Sequence, residues 1–324
     1  MHFSPEEIQD AQRTVYAALP PTPQYNWPLL SQALGGDVWV KHENHSPVGA
    51  FKVRGGLTYF QSLVRHEPAV RHVISATRGN HGQSVGFAAR RHGLAATIVV
   101  PHGNSAEKNA AMQALHVNLL EHGDDFQAAA EHAATLAAAQ GWHRIPSFHR
   151  ELVRGVATAY VEFFEALRDS PPEVLYVPIG QGSGFAAAAA ARAHVGVRTR
   201  LIGVVSAHAT AYLDSLQAGK PVESPVATLL ADGLACRKPV PEAVALIERE
   251  AEDVVAVSDD EVANAMRLLY TATHNVAEGA GAAALAAALQ LQGRWRGRRV
   301  GVMLTGGNVD ARLFAKVLQG EIIE

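Results

Sequence analysis

The residue with the most suggestive chemistry is Lys52, which lies among small and apolar neighbours in residues 46–56. Partial burial among such neighbours lowers the pKa of an amine toward its neutral, nucleophilic form. A neutral lysine amine can attack a carbonyl carbon and form a Schiff base. A surface lysine at the start of a helix is the alternative, because a motif taken alone is weak support.

Three further segments place glycines and polar side chains directly after predicted strands. They are Thr-Arg-Gly-Asn-His-Gly-Gln at 77–83, Gly-Gln-Gly-Ser-Gly at 180–184 and Thr-Gly-Gly-Asn at 305–308. Asn80 offers an amide donor, the 180–184 turn offers free backbone N–H groups to an anion, and Thr305 offers a hydroxyl. The 180–184 turn has neither the P-loop pattern nor G-x-G-x-x-G spacing. Each segment alone is equally compatible with an ordinary turn.

The elements that must position these segments alternate between short β-branched runs and alanine-rich helices. This alternation predicts parallel sheets covered by helices on both faces. The predicted strands are 72–76, 96–101, 117–120, 174–178, 200–205, 254–257 and 299–304, and Ser258 with Glu261 predicts a capping box. Because ligands bind beyond the carboxyl ends of parallel strands, we expect the chemistry in the loops that follow these strands.

Composition excludes several classes of function. The 324 residues suggest about two domains, and with 48% hydrophobic and 18% charged residues they can build a large core. A formal charge of −3 offers no basic surface for nucleic acid or an anionic membrane. Apolar stretches break well before the roughly 18 residues that a membrane span needs. The single cysteine, Cys236, and a polar, acidic start without signal-peptide character predict a cytoplasmic protein.

Together, in this order and spacing, the four segments resemble the fold-type II family of pyridoxal-phosphate enzymes, in its serine/threonine dehydratase and serine racemase branch. The likeness extends over about residues 19–310, and it is most specific around Lys52 and at residues 79–83. It implies an α/β fold of the tryptophan synthase β type, with two lobes of parallel-rich sheets flanked by helices. A large domain would comprise 1–65 and 147–324, a small one 66–146, and the assembly would be a homodimer.

The resemblance implies pyridoxal 5′-phosphate as cofactor, with Lys52 as the catalytic residue that forms the Schiff base and moves the Cα proton. The residues implied to contact the cofactor are Phe51, Lys52, Asn80, Gly180, Gln181, Gly182, Ser183, Gly184, Gly233, Glu278 and Thr305. The residues implied to contact the substrate are Thr77, Arg78, Asn80 and His81. Glu278 is equally compatible with a cap on the helix that begins at Gly279.

Several positions depart from the family's usual pattern. Gln181 and Ser183 stand where the family has glycines. Arg78 stands where racemases carry an acid/base serine, and a fixed cation disfavours racemisation but could bind a carboxylate. Ser206 and Tyr212 replace the acidic ligands of a divalent cation, so we expect no such metal site.

A hydroxyl such as Thr305 opposite the pyridine nitrogen does not stabilise a charged pyridinium, which favours fast loss of a β-substituent over a long-lived carbanion. The predicted function is dehydration of a β-hydroxy-α-amino acid of the serine/threonine type to a 2-oxo acid and ammonia. The alternatives are a dehydratase for 3-hydroxyaspartate or an aryl-serine such as phenylserine, a racemase or β-replacement synthase on the same fold, and a non-catalytic anion-binding protein. Feedback regulation through a further C-terminal domain is not expected.

Overall fold

The structure is a computed structural model that describes residues 1–321. Its strands are β1 (Gln24–Asn26), β2 (Asp37–His42), β3 (His72–Ala76), β4 (Ala95–Val100), β5 (Asn118–Glu121), β6 (His143–Arg144), β7 (Val174–Pro178), β8 (Arg200–Ser206), β9 (Asp253–Val257) and β10 (Arg299–Leu304). Its helices are α1 (Pro5–Tyr16), α2 (Pro28–Leu34), α3 (Lys52–His66), α4 (Asn80–Arg91), α5 (Ala106–Gln113), α6 (Phe126–Gln140), α7 (Arg150–Ala166), α8 (Ser183–Val195), α9 (Ala211–Ala218), α10 (Pro241–Glu250), α11 (Asp259–Thr273), α12 (Gly279–Gln290) and α13 (Ala311–Gln319).

The strands form two sheets. The larger has the order β1-β2-β10-β7-β8-β9 and is parallel except for the β1–β2 pair. The smaller has the order β5-β4-β3-β6 and is wholly parallel. The predicted α/β class with two parallel-rich sheets is therefore confirmed.

The alanine-rich helices lie against the larger sheet. The predicted alanine runs in α8 and α12 are buried, one on each face of this sheet. Small side chains let a helix backbone approach a sheet closely, so these runs pack instead of forming flexible tails. No helix within residues 1–321 has the length and apolar character needed to cross a bilayer.

The ends of several helices follow the sequence signals. The predicted capping box is present, since the Ser258 hydroxyl accepts from the Glu261 N–H at the start of α11. Helix α3 was not predicted from the sequence pattern, and its Gly55 and Gly56 ordinarily reduce helix propensity. Tertiary packing overrides that penalty: a Cβ at Gly55 would lie 2.6 Å from the Leu152 carbonyl oxygen, so glycine permits close contact with α7. This packing fixes the helix that begins at Lys52.

Candidate active site

One cleft brings together every residue that the sequence assigned to the site. It is lined by the start of α3 and by the loops after β3, β7 and β10, together with the turn at 232–235. The predicted residues along its wall are Phe51, Lys52, Thr77, Arg78, Asn80, His81, Gly180, Gln181, Gly182, Ser183, Gly184, Gly233, Glu278 and Thr305. The loops that follow strands thus converge, as expected for an open α/β sheet.

Backbone pairing holds Lys52 beside the end of β10. Ala50 forms a bridge with Gly306, and the Phe51 N–H donates to the Thr305 carbonyl oxygen at 3.0 Å. The turn into this pairing uses Gly49, whose φ of 67° is a left-handed conformation that favours glycine. The lysine amine and the Thr305 hydroxyl therefore belong to adjoining, mutually bonded segments.

The Lys52 amine is enclosed by protein atoms although its side chain is partly accessible from the cleft. Its Nζ donates to the Ser183 hydroxyl at 3.2 Å and lies 5.1 Å from the centre of the Phe51 ring. It makes no ion pair with any residue of the described chain, so desolvation lowers its pKa to about 8. A lysine with such a pKa is poised to act as a nucleophile and a proton acceptor.

Behind Lys52, four buried charges form what we call the Arg54 network (Lys41, Glu43, Arg54 and Glu162). The Arg54 guanidinium donates to both Glu43 oxygens at 2.8 and 3.0 Å and to Glu162 at 2.5 Å. Lys41 Nζ donates to Glu162 at 2.6 Å. Burial raises the pKa of Glu43, but Arg54 and Lys41 outweigh burial and the net shift is downward. Two cations thus balance two anions, and one of these cations, Arg54, is only two residues beyond Lys52 on α3.

The 180–184 turn forms the start of α8. Gly182 is the N-cap residue with a φ of 90°, and no side chain caps the helix. The first N–H groups of a helix have no intrahelical acceptor, and at this 13-residue helix they border the cleft with the Ser183 hydroxyl. Gln181, one of the departures from the family pattern, donates to the Cys236 sulfur at 3.4 Å. This arrangement suits a phosphate.

Asn80 is held by hydrogen bonds on both sides of its amide. Its Nδ2 donates to Glu278 Oε1 at 2.6 Å, and its Oδ1 accepts from Asn308 at 2.8 Å. Glu278 occupies the N-cap position of α12, yet its side chain makes no capping hydrogen bond. Burial raises the pKa of Glu278 to about 7, against the opposing effect of Lys108. Glu278 therefore orients Asn80 instead of capping its helix.

Lys108 is a cleft residue that sequence reasoning missed. Its Nζ lies 2.5 Å from Asp232 and 3.7 Å from the second oxygen of Glu278. Burial lowers the pKa of Lys108, but these two carboxylates outweigh burial and the net shift is upward. One signal was available: a lysine in the first turn of α5 opposes the helix dipole and so indicates an acidic partner.

The loop between β3 and α4 carries the predicted substrate contacts. The Thr77 hydroxyl accepts from the Gly79 N–H at 3.0 Å, and no side chain caps α4. His81 is 7% exposed, its Nε2 has no hydrogen-bond partner in the described chain, and burial lowers its pKa to about 3. The Arg78 guanidinium lines the cleft without a hydrogen bond or ion pair to any residue in 1–321. This loop therefore presents to the cleft an imidazole nitrogen and a guanidinium, neither of which has a hydrogen-bond partner in the described chain.

Ser206 and Tyr212, which stand where relatives are expected to have metal ligands, make local hydrogen bonds. Ser206 accepts from the His208 N–H at 3.1 Å, and the Tyr212 hydroxyl accepts from the Val240 N–H at 3.2 Å. Within the described part of the chain, no three or more His, Cys, Asp or Glu side chains are grouped to hold a metal. The expectation that the divalent-cation site is absent stays a prediction.

The chemistry of the cleft fits pyridoxal phosphate. The uncapped start of α8 suits its phosphate, and the enclosed Lys52 amine suits its aldehyde. Thr305 is buried and uncharged, and within residues 1–321 its hydroxyl makes one long contact, of 3.5 Å, with the Ala280 carbonyl oxygen. That hydroxyl is free to face a ring nitrogen.

Comparison with known proteins agrees with this fit. The family described as "Pyridoxal-phosphate dependent enzyme" matches residues 15–306. An "L-threonine ammonia-lyase" of Thermotoga maritima is 30% identical over 320 residues, which cover 98% of this chain and 79% of that protein. An "L-threo-3-hydroxyaspartate ammonia-lyase" of a Pseudomonas species is 31% identical, covering 92% of this chain and 93% of its own length. Some relatives are longer: the chain spans 58% of a biosynthetic threonine dehydratase of Salmonella typhimurium.

A solved structure with the same fold is the processed form of threonine deaminase isoform 2 from Solanum lycopersicum. It has a TM-score of 0.86 at 27% identity, with 98% of this chain and 94% of that chain covered. Both the sequence match and the fold extend over nearly the whole chain, so the resemblance is not confined to the glycine-rich turns. This chain belongs to the pyridoxal-phosphate-dependent enzyme family of fold type II, in its serine/threonine dehydratase branch.

Proposed function

We propose that this protein is a pyridoxal-phosphate-dependent ammonia-lyase that removes water from a β-hydroxy-α-amino acid and releases a 2-oxo acid and ammonia. The observation that carries the proposal is the enclosed Lys52 amine, which has no acidic partner in the described chain and lies 3.2 Å from Ser183. The named ammonia-lyases and dehydratases among the relatives support the reaction type.

Bound pyridoxal phosphate would hold the substrate amine covalently and withdraw electrons from its Cα. The α8 N-terminus and Ser183 would hold its phosphate, and Asn80 would donate to its phenolic oxygen. Phe51 would lie beside its ring, with Thr305 at the pyridine nitrogen and Gly233 near the ring. These assignments agree with the donor types that the cleft presents.

Lys52 takes the proton from the substrate Cα at its Nζ. Because desolvation lowers the pKa of Lys52 to about 8, much of its amine is neutral in mildly alkaline solution and can accept a proton. The Cα–H electron pair forms the Cα=Cβ bond as the Cβ–O bond breaks. The leaving hydroxyl takes up one proton and departs as water, which balances the proton that Lys52 removes from Cα. The released enamine takes up one water and yields the 2-oxo acid and ammonia, with no net oxidation. Arg78 supplies no proton, because a guanidinium stays charged.

The direct test is product analysis with the holoenzyme on L-threonine, L-serine and other β-hydroxy amino acids. Release of a 2-oxo acid and ammonia in equal amounts is the expected result. A D-amino acid or a β-substituted product would instead support the racemase or synthase alternative. Protein that gains no visible absorbance with pyridoxal phosphate, and that borohydride leaves unmodified, would support a non-catalytic anion-binding protein.

We also propose that the enzyme acts as a cytoplasmic homodimer whose small lobe is residues 66–146. The single cysteine supports a reducing compartment. Support for the lobe comes from the smaller sheet, which draws all four of its strands from β3 to β6. Sedimentation of the holoenzyme at twice the chain mass is the expected result, and a monomer at micromolar concentration would contradict it.

A further inference from the structure

Arg78 is a cation in the cleft for which the described chain supplies no counter-ion. The two acidic groups that line the same cleft, Asp232 and Glu278, both face Lys108 at 2.5 and 3.7 Å. The enclosed Lys52 and the neutral His81 add no negative charge. Because Arg78 is half-buried and no carboxylate of the described chain pairs with it, an anionic group on a bound ligand is the partner we expect for it.

The cleft has two other anion-binding features, each at the start of a helix. The uncapped start of α8 with Ser183 is suited to the cofactor phosphate. The uncapped start of α4 borders the cleft together with Thr77 and with His81, whose Nε2 is buried and unpartnered. This second feature is suited to one carboxylate without any contribution from Arg78.

The anions brought by cofactor and substrate can be matched to these features. Pyridoxal phosphate and threonine together bring two anionic groups, the phosphate and the α-carboxylate. The cleft offers three places for anions, of which the guanidinium of Arg78 is the third. A substrate with an additional anion on its side chain would occupy all three.

We propose that Arg78 binds a second carboxylate on the substrate side chain, so that the preferred substrate is a dicarboxylic β-hydroxy-α-amino acid, the smallest being 3-hydroxyaspartate. This inference rests on the proposed ammonia-lyase activity. Loss of water from 3-hydroxyaspartate breaks its Cα–H and Cβ–O bonds, and hydrolysis of the resulting enamine gives oxaloacetate and ammonia. A planar guanidinium suits such a carboxylate because it can donate two parallel hydrogen bonds.

The first measurement compares kcat/KM for 3-hydroxyaspartate and L-threonine in the wild type, in Arg78→Gln and in Arg78→Lys. The wild type should prefer 3-hydroxyaspartate, and Arg78→Gln should lose about 10- to 100-fold on it, as for a hydrogen bond to a charged group. L-threonine should change little. Arg78→Lys should fall between, because an ammonium cannot form the bidentate contact. Arg90→Gln is the matched control, an equal charge loss at the exposed end of α4, the helix that follows the Arg78 loop.

The second measurement needs no turnover. Titration of the holoenzyme with L-aspartate and with L-2-aminobutyrate, followed by visible absorbance, compares two ligands of similar size that differ in the side-chain carboxylate. Aspartate should bind more tightly to the wild type, and Arg78→Gln should remove the difference. The affinity for pyridoxal phosphate should be the same in both proteins.

Three outcomes would overturn the inference. Equal losses on threonine and 3-hydroxyaspartate would assign Arg78 to the α-carboxylate, and weaker cofactor binding would assign it to the phosphate. Good turnover of threonine with little of 3-hydroxyaspartate in the wild type would also overturn it while leaving the ammonia-lyase proposal intact. If no β-hydroxy amino acid yields a 2-oxo acid, the proposed function itself fails.

Discussion

The Arg54 network and the active-site cleft are two regions of buried polar groups that lie on either side of Lys52, and they differ in how those groups are paired. In the network, two cations meet two anions, and each is hydrogen-bonded. In the cleft, Lys52 has no acidic partner, and His81 Nε2 and Glu278 Oε2 have no hydrogen bond within the described chain. The paired charges of the network stabilise the fold, whereas the unpartnered groups of the cleft are available to a ligand.

Because of this difference, we expect substitutions in the Arg54 network to change mainly stability and substitutions in the cleft to change mainly activity. Removing a network charge leaves an opposite charge buried alone, which destabilises the fold. Removing a cleft group takes away a partner of the ligand and relieves the fold of an unsatisfied group. Each of the following changes tests one side of this division.

The largest effect should follow from Lys52→Ala. The other lysine of the described cleft, Lys108, is ion-paired with Asp232 and Glu278 and its pKa is raised, so it cannot replace the lost amine, and kcat should fall by about 10³-fold or more. The assay is 2-oxo acid release, with thermal unfolding to show that the fold persists. Lys316→Ala, which removes an exposed lysine on α13, is the control and should keep full activity. Substantial turnover in Lys52→Ala would contradict the central role of this amine.

The next largest effect should follow from Arg54→Met. Glu43 and Glu162 would then remain buried with only Lys41 to balance them, and the free energy of unfolding should fall by about 3–5 kcal/mol. Urea unfolding of the protein measures this change. Arg65→Met, on the exposed side of the same helix, should change it by less than about 0.5 kcal/mol. A small loss in Arg54→Met would remove the distinction between the two regions.

A third change should stabilise the protein. In the cofactor-free protein, Lys52→Met replaces an enclosed amine that has no counter-ion in the described chain. We expect the free energy of unfolding of this variant to exceed that of the wild type by about 1–3 kcal/mol. The folded pKa of Lys52 is about 8 against an ordinary value of 10.5, so the unfolded wild type binds more protons between these values. The wild type therefore gains stability as pH rises from 8 to 10.5, and the difference should shrink over that interval. A difference independent of pH would contradict the lowered pKa.

The smallest effect should follow from Ser183→Ala, which removes one hydroxyl from the start of α8 and the contact to Lys52. The affinity for pyridoxal phosphate should weaken by about 3- to 10-fold, as for one hydrogen bond. Equilibrium titration of cofactor-free protein measures it. Ser170→Ala, at an exposed position, should leave the affinity unchanged. Unaltered affinity in Ser183→Ala would remove Ser183 from the phosphate site.

The parts of the site that could be predicted are those whose residues lie close together along the chain. Three segments of the cleft directly follow a strand and contain glycines and polar residues within a few positions, so pattern alone could indicate them. The alternation of strands and helices was likewise sufficient for the α/β class. Element bounds were less certain: the strand predicted at 96–101 is β4 at Ala95–Val100, and the strand predicted at 117–120 is β5 at Asn118–Glu121.

The remaining contacts are formed between distant parts of the chain. Lys108 meets Asp232 across 124 positions, and Arg54 meets Glu162 across 108. No periodicity records such pairs, because they form only when segments that are distant along the chain pack together. Glu278 was ambiguous for the same reason: its helix position suggested a cap, whereas its role depends on Asn80, 198 positions away.

The two sheets contribute different parts of the cleft. The Lys52 segment is bonded to the loop after β10, and the 180–184 turn follows β7, so both belong to the larger sheet. Thr77, Arg78 and His81 follow β3 of the smaller sheet. The larger sheet thus carries the reactive lysine and the proposed phosphate site, whereas the smaller sheet carries Asn80 and the proposed substrate contacts. Grafting residues 77–78 from another lyase onto this scaffold should redirect which amino acids it consumes while sparing its vitamin B6 chemistry, a property that would let such enzymes diversify by small steps.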